Sequence, residues 1–247
     1  MKFTRVFAFM ALAGLAGSAF ATDGYFSHGY GMKAKGMGGA ATASSDDAFF
    51  GANNPAAAAF AGNRLDLGAD LFSPRREASR TGLGPFDGSA DSDSKYFLIP
   101  EFGYNHMLNP DVALGVTVYG NGGMNTNYPG GQIAAGNCGP TAANLLCGDG
   151  KLGVNLMQLI VAPTAAYKLA PNHSIGISPL IGYQRFKANG LQAFGGASSD
   201  PNNLTNRGND DAFGYGVRIG YMGKITPTVT IGAAYASKMQ FDEFSKY

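Results

Sequence analysis

The sequence predicts an all-β protein built as an antiparallel transmembrane β-barrel, and three observations carry that prediction. Seven stretches alternate apolar with small or polar residues, the connections between them alternate in length, and the composition fits neither a soluble domain nor a helical membrane protein. Charged residues make up 14% of the chain while glycine numbers 37, against a usual charged share of about 25%. Beyond the first twenty or so residues no apolar run reaches the roughly 20 residues that a spanning helix needs. A closed sheet is the other way to live in lipid, because only its outward face must be apolar.

The clearest strand is 213–222. Phe213, Tyr215, Val217, Ile219 and Tyr221 share one face, and Gly214, Gly216, Arg218, Gly220 and Met222 the other. The stretches 112–118 and 175–182 repeat the pattern with Val, Leu and Ile on the apolar side. Weaker versions fall at 65–71, 96–104, 157–167 and 229–235. A soluble sandwich also alternates, so the connections must decide. Tight Pro-bearing turns stand at 108–111, 170–173 and 226–228, and between them lie long polar connections at 79–94, 122–153 and 188–211. Short turns on one side and long loops on the other are what a membrane barrel requires. Tyr104, Tyr167 and Tyr221 precede the tight turns, where an interfacial aromatic girdle would sit. The small and charged residues of the other face then line a lumen, and each single lumen charge, Arg218 included, is expected to form a structural pair across it.

The first residues read as an export signal. Lys2 and Arg5 precede an apolar stretch at 6–16 and a small-x-small site at Ala19-Phe20-Ala21. Cleavage after residue 21 changes the net charge from +1 to +1 − 2 = −1. That balance points to no nucleic-acid partner, and Arg75-Arg76 is the only adjacent basic pair. An exported chain meets an oxidising compartment, so Cys138 and Cys147, both in the second long connection, are expected to form a loop-stiffening disulfide. His28, His106 and His173 are scattered without ligand spacing, and no metal site or cofactor is expected. The glycine clusters at 29–31 and 36–39 fit neither phosphate-binding pattern, and no GxSxG is present. No catalytic residue is singled out.

Between signal and first strand, 24–62 reads GYFSHGYGMKAKGMGGAATASSDDAFFGANNPAAAAFAG. Its Gly/Ala-rich run ending in Asp46-Asp47 and its Asn54-Pro55-Ala56 triplet resemble the start of the FadL family, outer-membrane channels for long-chain fatty acids and aromatic hydrocarbons. The wording GVTVYGNGGMN at 115–125 looks closer to the hydrocarbon branch. The resemblance implies a fourteen-stranded barrel, a hatch at 22–63 folded inside the lumen, and a lateral exit through the wall at a kink in the third strand. Seven strands at 64–247 are then about half a barrel, and the sequence reads as the N-terminal part of a longer, monomeric one.

In that frame Phe26, Phe49 and Phe50 are the expected apolar contacts of a ligand. Asp46, Asp47 and Asn54 are expected to bond the lumen wall or accept backbone hydrogen bonds, with a solvated turn as the competing reading of the aspartates. Asn54, Pro55 and Ala56 fix the turn into the first strand. The cluster Gly120-Asn121-Gly122-Gly123 is the candidate kink, the alternative being the start of the external loop. The function expected is passive uptake of hydrophobic small molecules across the outer membrane of a Gram-negative bacterium, embedded in outer-membrane lipid. An outer-membrane enzyme or a structural barrel stand as alternatives.

Overall fold

The computed structural model describes residues 26–247. The expected signal at 1–21 and the first residues of the expected hatch lie outside them. The wall consists of β1 (Arg64–Phe72), β4 (Phe97–Met107), β5 (Val112–Tyr128), β6 (Leu152–Ala170), β7 (His173–Asn189), β8 (Asp210–Thr226) and β9 (Val229–Ala236). They form one curled antiparallel sheet in sequence order, and all seven stretches read from the alternation are strands of it. The short β10 (Gln240–Phe241) continues along β8 past β9. A separate hairpin, β2 (Glu77–Arg80) with β3 (Gly88–Asp91), occupies the first long connection.

The two faces are distinct. Leu67, Leu98, Leu114, Ile177, Tyr215 and Ile219 are exposed on the convex side, while Ala113, Thr117, Ala162, Ser178 and Met222 are buried on the concave side. Period-two patterning therefore selects one apolar and one small or polar face, as lipid outside and a filled interior demand.

The strands are longer than the alternation suggested. β5 to β8 run 17, 19, 17 and 17 residues, against the roughly 9–11 that cross a bilayer. The excess lies on the long-loop side, where Gly122 to Tyr128 still pairs with Leu152 to Gln158. Outside lipid a ladder needs no apolar face, so these polar extensions leave no hydrophobic alternation to read. The second long connection is accordingly shorter than 122–153.

Residues 26–63 lie against the concave face. They carry a helical turn at Met32–Gly36, a 3-10 turn at Pro55–Ala57 and a helical turn at Ala58–Ala61. Asn54 caps the second by accepting the Ala56 N–H at 3.1 Å, and Pro55 follows at the first position, where a missing N–H costs nothing. Buried Ala56, Ala57, Ala58 and Ala59 pack with Phe50, Ala113, Ala166 and Met222 of wall and segment.

Candidate functional site

A segment made of Gly, Ala and Ser has few side chains with which to bond its surroundings, yet its buried N–H and C=O groups must be satisfied. The wall supplies the partners. The Thr117 hydroxyl accepts from Gly51 N at 3.1 Å and donates to Ala48 O at 2.9 Å. Asp66 accepts from Ala48 N at 2.8 Å, Ser174 donates to Ala56 O at 2.9 Å, and Asn105 donates to Ala58 O and Gly62 O. Arg218 donates to Gly51 O at 2.7 Å. Among the described residues no carboxylate pairs with Arg218, whose guanidinium serves the segment's backbone and lies beside the Tyr119 hydroxyl.

Close approach also needs room on the wall. A Cβ at Gly115 would stand 2.6 Å from Phe50 Cζ, and one at Gly220 would strike Asn54 Oδ1. The inward glycines are thus the seats of the segment.

One ion cluster fixes the start of the segment. Lys35 Nζ lies 2.8 Å from Glu101 and 3.2 Å from Asp70, and Gly31 N donates to the other Glu101 oxygen at 3.2 Å. The Lys35 and Glu101 side chains are 12% and 1% exposed, so the pair is sheltered from water. Neither residue was singled out from the sequence. The available signal was parity, since Glu101 and Asp70 both fall on inward positions of their strands.

The wall is interrupted beside this cluster. β4 pairs with β5 from Met107↔Ala113 to Glu101↔Tyr119 and no further, although β4 continues to Phe97 against β1 and β5 to Tyr128 against β6. The next residue of β4 is Pro100, which has no N–H to give a ladder. The next of β5 is Gly120, followed by a register shift in which Asn121 is left out between Gly120↔Leu159 and Gly122↔Gln158. The candidate kink therefore lies inside a strand and is not the start of a loop. Pro100 was legible as an edge signal and was missed.

The segment's first described residues meet this break. Phe26 bridges to Gly122, and the Tyr30 hydroxyl lies 3.0 Å from Asn121 O and 2.8 Å from Asn121 Oδ1. The Tyr30 and Tyr119 rings are tilted with centroids 4.6 Å apart, and burial pushes the Tyr30 phenol far above its ordinary value. Asn121 in turn donates to Gln158 at 3.0 Å, and Gln158 to Gln184 at 2.6 Å. A polar chain thus runs from Tyr30 across three strands.

The remaining site residues divide. Phe49 and Phe50 are buried against the wall, while Phe26 is 37% exposed at the break. Asn54 donates to Tyr221 O at 2.9 Å and to Thr42 O at 2.7 Å, and so ties segment to wall. Among the described residues neither the Asp46 nor the Asp47 carboxylate hydrogen-bonds or ion-pairs with the wall. Asp46 is exposed and meets Ser44, and Asp47 accepts the Phe49 N–H at 3.0 Å. Burial, first among its causes, pushes the Asp47 carboxyl up. Cys138 and Cys147 are disulfide-bonded.

A curled antiparallel sheet with an apolar convex face and a polar, glycine-rich concave face defines the class: the wall of a transmembrane β-barrel. The chain belongs to the outer membrane protein transport family (OMPP1/FadL/TodX), whose model matches residues 8–246. That family consists of outer-membrane transport channels for hydrophobic compounds and not of enzymes. Among solved structures, the P. putida toluene transporter TodX superposes with a TM-score of 0.67 at 18% identity over 87% of this chain and 56% of that one. A TodX monoaromatic hydrocarbon channel deletion mutant gives 0.68 at 19% identity, over 88% and 56%. A Pseudomonas aeruginosa FadL homologue gives 0.50 at 16%, over 81% and 49%. At these identities the likeness is one of fold. This chain spans little more than half the length of the TodX chains it matches. No curated protein matches it.

Proposed function

We propose that the chain forms part of a passive outer-membrane channel for hydrophobic small molecules, long-chain fatty acids or aromatic hydrocarbons, exported through a signal at 1–21. Residues 26–63 are its hatch. The ligand enters from the long loops, reaches a lumen pocket beside the hatch, and leaves sideways between β4 and β5. The observation that carries this reading is the coincidence at one place of the end of β4–β5 pairing, the Asn121 irregularity, and the contacts of Phe26 and Tyr30. A ligand that displaces Tyr30 from Asn121 would release both hatch and wall at the exit.

The apolar convex face supports a lipid environment, and the toluene and monoaromatic hydrocarbon transport described for TodX supports the substrate class. β1 and β9 each pair on one side within the described sheet. Their free edges are where further strands close a monomeric barrel, since unsatisfied backbone in lipid costs several kcal/mol per group.

The test is uptake of toluene and of dodecanoate into proteoliposomes, with leakage of a small sugar as control. Removing residues 26–43 deletes the Tyr30, Gly31 and Lys35 contacts. Sugar leakage should rise and ligand uptake change. Unchanged leakage and uptake would leave the segment a passive filler.

A further inference from the structure

Past the last β4–β5 pair, Glu101↔Tyr119, the same register continued would set Ile99 opposite Asn121. Asn121 has instead left the ladder for Tyr30 and Gln158, and the wall is bridged there by a side chain. Gly120 falls in the outward row of β5 with Val116 and Val118, and Ile99 in the inward row of β4 with Glu101. A Cβ on the outward side of Gly120 would nevertheless stand 2.6 Å from Ile99 Cγ2. The Ile99 side chain therefore occupies the thickness of the wall, its methyl seated over Gly120 where a side chain would otherwise be. The Tyr30 and Tyr119 rings lie on the lumen side of this contact, and exposed Leu98 and Pro100, in the outward row of β4, on the lipid side.

A hydrogen-bonded pair in lipid opens only by leaving N–H and C=O groups unsatisfied. A methyl seated over a glycine is held by dispersion alone, so this is the part of the wall that yields most readily. Isoleucine is branched at Cβ and stiff about χ1, which gives the obstruction a fixed width instead of a swinging arm. Gly120 is the second lip. Any side chain there would fill the seat of Ile99, although lipid would accept a valine or leucine at an outward position. We propose that Ile99, seated against Gly120, sets the width of the lateral passage and selects hydrophobic ligands by cross-section: a narrow, flat hydrocarbon displaces it and a ring substituted on several sides does not. The inference rests on the reading of the β4–β5 gap as the exit. It adds the residue that discriminates among neutral ligands there.

The experiment measures uptake of toluene and of mesitylene, its trimethylated and wider relative, into proteoliposomes. The wild type should pass toluene about tenfold faster, the scale on which a hydrophobic site senses a methyl group. Ile99→Ala should bring the ratio close to one by speeding mesitylene, and Ile99→Phe should slow both ligands, the wider one more. The double variant Ile99→Ala/Gly120→Val returns the bulk from the opposite lip and should restore the preference for toluene, which a mere packing role does not predict. The heat-modifiable folded band of each variant confirms assembly. A ratio that is the same in wild type, Ile99→Ala and Ile99→Phe would overturn the proposal. Locking position 99 to position 120 with paired cysteines tells that failure from failure of the exit reading. If the lock stops toluene, the route stands and Ile99 alone is refuted; if toluene passes the lock, the lateral route falls and this proposal with it.

Discussion

Asp47 shows how a residue that was noticed for its charge matters through its burial. Its carboxyl accepts the Phe49 N–H, and its pKa is raised, first by burial. A raised acid favours the docked segment below the ordinary carboxylate value, and that contribution is lost as pH climbs through the raised pKa. Proteolytic protection of 26–63 should therefore fall as pH rises above the ordinary carboxylate value, and fall less in Asp47→Asn. Asp66 feels the Asp47 charge, so the difference reports Asp47 together with that coupling; identical pH profiles would remove Asp47 from docking. Lys35 makes the larger contribution. Lys35→Met leaves Glu101 buried with only the Gly31 N–H, at a cost of about 3–5 kcal/mol. Hydrogen exchange at residues 31–36 should accelerate accordingly, and unchanged protection would mean the cluster does not hold the segment.

At the scale of elements, the strands were legible and their far ends were not. Leu114, Val116 and Val118, or Phe213 to Tyr221, could be read because lipid demands one apolar face. Past the membrane that demand stops, and β5 and β6 continue through Asn125, Asn127 and Asn155 with nothing in the pattern to reveal it. The wall contacts of the segment were equally hidden, because Thr117, Ser174 and Arg218 serve its backbone, and backbone groups carry no sequence signature. Arg placed at Val116, Val217 or Ile219 should cost roughly 2–4 kcal/mol near the midplane, read as loss of the heat-modifiable folded band. Gly216→Ala should spare assembly, since the added Cβ meets side-chain atoms first, Met239 Cγ at 3.0 Å and Ser237 Oγ at 3.2 Å, and no backbone nearer than Lys238 O at 3.6 Å. Equal sensitivity on both faces would contradict the assignment of lipid and lumen sides.

For the whole molecule, the central claim is that the gap between β4 and β5 is the ligand's way out. The glycine cluster at 120–123 was visible in the sequence, but its meaning depended on Pro100, twenty residues earlier, and on Phe26 and Tyr30, which only the fold brings to the same edge. A Cβ at Gly120 would lie 4.0 Å from Ile99 Cβ, inside the usual spacing of about 3.5–4.5 Å for a disulfide. The double variant Ile99→Cys/Gly120→Cys can therefore staple the two strands across the gap. Toluene uptake into proteoliposomes is measured for this variant oxidised and reduced, with the wild type under the same reductant to account for Cys138–Cys147. Uptake should fall severalfold when the staple forms and return on reduction; equal uptake in the two states, with the staple confirmed by mass, would contradict the lateral route.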